Sequence, residues 1–265
     1  MEQGEMSDWP LDLKGSRILV SNDDGFGAPG LIILRRILES LCDDVWVVAP
    51  EIEQSGAGHS LTLGRPLRIK ERGPKAYSID GTPTDCMLLS INRILVDHKP
   101  DLVLSGVNRG SNLGEDVTYS GTIAVAFEAT ILGVPAIAFS QDLGEGGVED
   151  WRVGEAHLAD LTKRLVQTGW PANTLINVNF PSGSPDTVTG IRATSQGREK
   201  VGDHIAQAFD PSGRAYYWIG KKHIVEDAAI DTDVAAVSAG AISVTPIDLD
   251  FTDRETLGDL SRILA

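Results

Sequence analysis

Short apolar runs separated by polar, glycine-rich stretches dominate the first two thirds of the chain. Arg17-Ile-Leu-Val-Ser21, Val45-Trp-Val-Val-Ala49, Asp101-Leu-Val-Leu-Ser105, Val134 to Ser140 and Leu175 to Phe180 are too short for helices and too continuously apolar for one-sided strands. They predict strands buried on both faces. Leu67 to Lys70 and Ala76 to Ile79 alternate weakly and predict two shorter strands. Between these runs the apolar period changes to three and four. Leu31, Leu34, Ile37 and Leu38 follow Pro29, a proline suited to a first helical turn. Thr82-Pro83-Thr84-Asp85 combines an N-cap, a first-turn proline and a first-turn acid, predicting a helix to about Leu95. Further helices are predicted from Ser120-Gly121-Thr122 to about Leu132 and from Val153 to Gln167. Strands alternating with helices imply an α/β fold, a mostly parallel sheet with helices on both faces.

After Pro181 the segments shorten, and Gly, Ser and Asp become frequent. Ile191 to Ser195, Ala215 to Ile219 and Ala241 to Ile247 predict strands of an antiparallel hairpin or lobe. Thr232 to Ser238 and Glu255 to Leu264 predict short helices. The expected organisation is a loose tail over residues 1–14 and a single domain over 15–265. Within it, 15–181 is read as the α/β core and 182–265 as a C-terminal region for oligomerisation. The 265 residues suffice for a large core.

Composition narrows the function. With 23 basic and 38 acidic side chains the net charge is −15, the opposite of a nucleic-acid-binding footprint. A local metal ion could still draw an anionic substrate. Two cysteines, Cys42 and Cys86, sit in apolar stretches and exclude both a disulfide framework and a cysteine-built zinc site. No apolar run reaches the ~18 residues of a membrane span. The start of the chain carries no signal-peptide pattern. These features lead to the expectation of a cytoplasmic protein with no membrane or nucleic-acid partner.

Four segments carry candidate chemistry, and all follow predicted strands or open a predicted helix. Ser21-Asn22-Asp23-Asp24-Gly25 places two carboxylates at a strand's carboxyl end, where ligands bind in open parallel sheets. Adjacent carboxylates repel unless a cation lies between them. An Asx-rich turn is the other reading of the same residues. Gln54-Ser55-Gly56-Ala57-Gly58-His59-Ser60 offers Ser55 as a ligand, while His59 reads as a loop histidine or a catalyst. Ser105-Gly106-Val107-Asn108-Arg109-Gly110-Ser111-Asn112 sets two amides in a loop where backbone approaches a ligand closely. Arg109 suits a phosphate or a surface ion pair. Ser120-Gly121-Thr122 opens a helix, which reads as an anion site or as plain N-capping. Asp, Asp, Ser and Asn together form an all-oxygen set suited to Mg²⁺, Mn²⁺ or Ca²⁺ rather than zinc. A hard cation beside a helix N-terminus points to metal-assisted phosphomonoester hydrolysis. A nucleotide sensor built on the same pocket is the alternative of another class.

On these residues the chain resembles the SurE family of metal-dependent nucleotide phosphatases. The matching stretches are Ile18 to Gly25 with Ala28-Pro-Gly30, Val48-Ala-Pro50 with Gln54-Ser-Gly56 and Ser60-Leu-Thr-Leu63, and Gly81 to Cys86. They continue with Pro100 to Gly106 with Asn108, Gly110 and Asn112, then Tyr119 to Thr122, Asn177-Val-Asn179, Thr232-Asp233 and Ser243-Val-Thr-Pro246. The resemblance implies a Rossmann-like core and a C-terminal extension exchanged between subunits, hence a homodimer or homotetramer. It implies hydrolysis of nucleoside 5′- and 3′-monophosphates, with short polyphosphate as a side substrate. It implies one divalent metal ion per subunit, Mg or Mn, at a site Ca also fits, held by Asp23, Asp24, Ser55 and Asn108. Asp23, Asp24, Asn112 and Ser120 are then the catalytic set, with Ser120, Gly121 and Thr122 at the phosphate. All four metal positions match the family's pattern; the acidic stretch before Arg17 does not.

Overall fold

The computed structural model describes residues 9–144, 146–198, 205–219 and 229–265. Eleven strands form among them: β1 (Arg17–Ser21), β2 (Asp44–Pro50), β3 (Ile69–Gly73), β4 (Ala76–Ile79), β5 (Leu102–Arg109), β6 (Ala136–Gln141), β7 (Thr174–Phe180), β8 (Ile191–Ala193), β9 (Ile205–Phe209), β10 (Ala215–Ile219) and β11 (Ile242–Asp248). The helices are α1 (Pro29–Glu39), α2 (Pro83–Leu89), α3 (Gly121–Ile131), α4 (Arg152–Thr168), α5 (Asp233–Ser238) and α6 (Arg254–Ile263). A π-type turn, Ser90–Ile94, continues α2, and a 3₁₀ turn, Gly114–Thr118, precedes α3.

Nine strands make one sheet in the order β3-β4-β2-β1-β5-β6-β7-β11-β8. The six from β4 to β7 run parallel. At the edges β3 is antiparallel to β4, and β11 is antiparallel to β7. Alternation along the central strands feeds two apolar layers. Ile18, Val20 and Leu104 pack with Leu34 of α1 and Leu158 of α4. Leu19 and Val103 pack with Met87 of α2 and Val125 of α3 on the other face. Burial on both faces is why these strands read as unbroken apolar runs. Cys42 and Cys86 are buried free thiols.

The chain moves outward from β1 through β2 to β4, then returns to lay β5 on the other side of β1. The β1/β5 boundary is therefore a topological switch point, where the loops diverge and leave a crevice at the strands' carboxyl ends. Ser21 of β1 stands in register with Ser105 of β5, so the loops after both strands start side by side. Helix α1 closes in from below: a Cβ on Gly30 would lie 1.9 Å from the Val107 carbonyl oxygen.

Two expectations change. Residues 1–8 of the predicted tail lie outside the described residues, but Trp9 to Lys14 are not loose. The Trp9 ring packs on Trp170 at 4.6 Å, the Leu11 N–H donates to the Val166 carbonyl, and Leu13 is buried. Their apolar side chains cover the end of α4. The C-terminal strands also do not form one lobe. β11 extends the main sheet through β7, with Ile242 and Val244 meeting the same core, and β8 adds the edge by pairing with β11. β10 stands apart in the expected C-terminal antiparallel hairpin, paired with β9, a strand the sequence reading lacked. Among the described residues no helix is long and apolar enough to cross a membrane.

Candidate active site

Beyond β1 the chain turns at Gly25, whose φ of 100° favours glycine. The turn is stitched to the end of β2: Gln54 N–H donates to the Asp23 carbonyl at 2.8 Å and Phe26 N–H to the Pro50 carbonyl at 2.8 Å. Asp23 and Asp24 consequently face different neighbours. Asp23 is buried; its Oδ1 accepts the Thr122 hydroxyl, and the backbone N–H groups of Gly121 and Thr122 face its carboxylate. Asp24 Oδ2 accepts the Arg109 N–H at 3.1 Å. Burial pushes the Asp23 carboxyl up despite the donors around it. Burial, then the charge of Asp23, pushes Asp24 up to about 6 against the Arg109 N–H.

Strand β5 carries the second part of the site. Its register with β6 shifts between Ser105 and Asn108, a bulge that re-aims the residues beyond it. Asn108 Nδ2 donates to the Gly110 carbonyl at 2.9 Å, leaving Oδ1 to face the Thr122 hydroxyl at 3.3 Å. Asp23 and Asn108 oxygens thus converge on one side chain. Ser55 comes from the loop after β2, which Gly58 ties to the Tyr119 carbonyl at 3.0 Å; its hydroxyl donates to Glu53 at 2.8 Å. Asp23, Ser55, Asn108, Asn112 and Ser120 line one cleft of about 530 Å³. Asp24 lines a smaller adjoining cavity with Arg109.

This donor set fits a hard divalent cation. Two carboxyls with raised proton affinity are completed by a neutral amide oxygen and a hydroxyl. Among the described residues no three His, Cys, Asp or Glu side chains cluster to hold a metal, so any ion must use such neutral oxygens. Ser21 Oγ, Asn22 Oδ1 and Ser105 Oγ, at the ends of β1 and β5, are buried without a hydrogen-bond partner.

The three residues expected at the phosphate, Ser120, Gly121 and Thr122, are placed differently at the N-terminus of α3. Ser120 caps the helix, its Oγ accepting the Ile123 N–H at 3.1 Å, and it lines the cleft. Gly121 and Thr122 do not line it. Thr122 is fully buried, and the anion at this helix end is the carboxylate of Asp23. Arg109 forms the ion pair rather than standing open to a ligand: its Nε meets Glu149 at 2.6 Å. His59 leaves the cleft as well, with Nε2 paired to Glu128 at 2.7 Å in a neighbouring pocket.

Several residues that shape the site are assigned no role by the sequence reading. The Asn112 N–H donates to Asn179 Oδ1 at 2.7 Å, and its carbonyl accepts Asn177 Nδ2 at 2.9 Å and Asn179 Nδ2 at 3.1 Å. The Asn112 amide itself donates to Ser140 Oγ at 2.7 Å. Two positions on, the Gly114 N–H donates to Asp233 and its carbonyl accepts Gln196. One signal was available: Asn177 and Asn179 share one face of an otherwise apolar strand, and buried amides there must bond something.

Comparison with known proteins places the chain among its relatives. The family model described as Survival protein SurE matches residues 18–203. A protein named 5′-nucleotidase SurE from Paramagnetospirillum magneticum is 54% identical over 93% of this chain and 95% of its own. Its namesake from Rhodospirillum rubrum is 51% identical over 94% and 97%. The crystal structure of SurE protein from Aquifex aeolicus superposes with a TM-score of 0.81 at 40% identity, covering 94% of this chain and all of that one.

Proposed function

The chain belongs to the SurE family, and we propose that it is a divalent-metal-dependent nucleotidase. In this reading it hydrolyses nucleoside 5′- and 3′-monophosphates to nucleoside and inorganic phosphate, with short polyphosphate as a side substrate. The names of its relatives support the nucleotide. The observation that carries the chemistry is the Asp23–Asp24 pair, two carboxyls raised by burial at the β1/β5 switch point, Asp23 sharing its cleft with Asn108 and Ser55.

Asp23, Asp24, Ser55 and Asn108 would hold one Mg²⁺ or Mn²⁺ ion. Such an ion supplies Lewis-acid polarisation of a phosphoryl oxygen and lowers the pKa of a bound water. The chain's own residues do the rest. Asn112 and Ser120 donate hydrogen bonds to phosphoryl oxygens as charge grows there. Gly121 and Thr122 act indirectly, by fixing Asp23. Removal of the attacking water's proton falls to the carboxylate pair. The same reading places the protein in the cytoplasm as a homodimer or homotetramer, with the region from 182 onward serving assembly.

The test is phosphate release from nucleoside 5′- and 3′-monophosphates and short polyphosphate, with Mg²⁺, Mn²⁺ or EDTA, on wild type and Asp24→Ala. Metal-dependent release that the variant loses is expected. Tight nucleotide binding without release under any condition would overturn the enzyme in favour of a sensor.

A further inference from the structure

Asp233 has no place in the chemistry above, yet it is fully buried at the start of α5 and bonded across the molecule to the cleft. Its Oδ2 accepts the Gly114 N–H at 3.1 Å, two positions beyond Asn112. Its Oδ1 accepts the Gly197 N–H at 2.7 Å and the Val234 N–H at 2.8 Å. Its own N–H donates to the Ser195 carbonyl at 2.9 Å. One carboxylate thus pins three stretches of chain: the loop after β5, the segment after β8 and the first turn of α5.

Leu113 and Gly114 form the corner of the cleft loop. Asn112 lines the cleft before the corner, and Asp116 lines it after. The Leu113 side chain sits with Val234 and Val237 in a small apolar cluster of its own, and the Gly114 carbonyl accepts Gln196 Nε2 at 2.8 Å. The loop therefore has two clamps on different sides. Ser140, Asn177 and Asn179 hold Asn112 from β6 and β7, while the α5 side holds the corner next to it. With the first clamp alone, Asn112 could pivot about its bonded peptide; the second removes that freedom.

The partners also account for the residue type. All three groups on the Asp233 carboxylate are N–H donors, and an ionised carboxylate only accepts. Asparagine has the same shape, but its NH₂ must face at least one of those donors. With its oxygen kept by Gly197 and Val234, the amide would meet the Gly114 N–H and push the corner away.

We propose that Asp233 is a positioning residue for hydrolysis: through the Leu113–Gly114 corner it holds Asn112 at the phosphoryl group and leaves the metal ligands untouched. The proposal rests on the nucleotidase reading, in which Asn112 is a phosphate donor.

The experiment is a double-mutant cycle of Asp233→Asn with Asn112→Ala, on adenosine 5′-monophosphate with Mn²⁺. Asp233→Asn should lower kcat by about 10²-fold with KM changed less, the scale of a misplaced catalytic group. Mn²⁺ affinity by calorimetry should stay at the wild-type value. In the Asn112→Ala background the same substitution should cost no more than about twofold, because the group it places is gone. Losses that multiply in full, kcat kept in the single variant, or Mn²⁺ affinity that falls along with kcat would each overturn the proposal. Val237→Ala covers the case in which Asp233→Asn does not fold. It takes apolar surface from Leu113, leaves the carboxylate in place and should give the same pattern with a smaller loss; wild-type kcat overturns the proposal. If wild type releases no phosphate, the nucleotidase reading fails separately, and amide hydrogen exchange decides. Faster exchange of the Asn112 N–H in either variant, with the α4 amides unchanged, supports the placement; equal exchange overturns it.

Discussion

Asp23 stands where it does because residue 121 has no side chain. A Cβ there would fall 2.6 Å from the Asp23 Cβ and 2.9 Å from Pro83 Cγ, both anchored atoms. Gly121→Ala should gain slightly in helix propensity. It should nevertheless push the Asp23 carboxylate off the helix N–H groups. The expected outcome is at least a tenfold loss of Mn²⁺ affinity by calorimetry with the circular dichroism spectrum retained; unchanged affinity would remove Asp23 from the ligand set. Thr122 works from the other side, since its hydroxyl bridges Asp23 and Asn108. Thr122→Val keeps the shape and deletes the bridge. A hydrogen bond to a charged group is worth about 1.5–3 kcal/mol, and the urea midpoint should fall accordingly. At this scale the sequence shows the chemistry but not its partners. Asp23, Asp24, Ser55, Asn108, Asn112 and Ser120 sit in short polar segments at strand ends or a helix start, a pattern visible in one dimension. The Thr122–Asp23 bond joins positions 99 apart, and nothing local in Ser120-Gly121-Thr122 separates an open anion site from a helix end already taken by a carboxylate.

Elements hold these residues in place from a distance. Asn179, on β7, bonds both the N–H and the carbonyl of Asn112, much as a neighbouring strand would. Asn179→Ala leaves the buried Asn112 N–H without its partner, with the carbonyl still held by Asn177, and loosens the loop that lines the cleft. Misplacing a catalytic group by about 1 Å can cost about 10²-fold in rate. kcat should fall on that scale well below the unfolding midpoint, with KM changed less; a fall in stability alone would make Asn179 structural. At the opposite end of the sheet, Asp44 joins β1, β2 and the β3–β4 turn through Arg17 at 2.6 Å, Lys75 at 2.6 Å and Trp46 Nε1 at 2.8 Å. Burial alone would raise this carboxyl, but the bonds from Lys75, Arg17 and Trp46 together bring it down to about 2. A depressed carboxyl stabilises the fold above its unfolded value near 3.8, and the contribution fades as pH falls toward 2. Because the group is partly solvated, Asp44→Asn should cost only about 1 kcal/mol at pH 7. In urea titrations the gap from wild type should close between pH 4 and 2; a gap constant with pH would mean the charge is not what stabilises. The central strands and most helices were legible because burial on two faces writes unbroken apolar runs, and caps mark the helix starts. β9 was not, since Ile205-Ala-Gln-Ala-Phe209 is exposed and carries no one-sided pattern. The joining of β8 and β11 to the main sheet is a long-range pairing that their local sequences share with any edge strand.

On the scale of the molecule, two of the described elements carry exposed apolar faces. Among the described residues the β9–β10 hairpin pairs only with itself. One of its faces carries Ile205, Phe209, Tyr217 and Ile219, the other Tyr216 and Trp218, and all six are exposed. A two-stranded hairpin is marginal alone in water, and an apolar surface of this kind marks an association site. α6 repeats the situation at the C-terminus: none of its residues is buried, while Leu257, Leu260 and Ile263 stand exposed along it. A second copy of the chain offers the same unpaired surfaces and so satisfies both at once, by two-fold symmetry. Light scattering should then find a dimer or a larger even assembly. Phe209→Asp and Trp218→Asp, one on each hairpin face, should shift it toward the monomer, and Leu260→Asp should show whether α6 contributes separately. The net charge of −15 on each subunit opposes that association over long range. Raising salt from 0.05 to about 0.5 M shortens the screening length severalfold, so the wild-type assembly should tighten with salt. Assembly that weakened with salt would mean that ion pairs, rather than these apolar faces, hold the subunits together, and a wild type that stays monomeric at every concentration would leave the hairpin and α6 to some other partner.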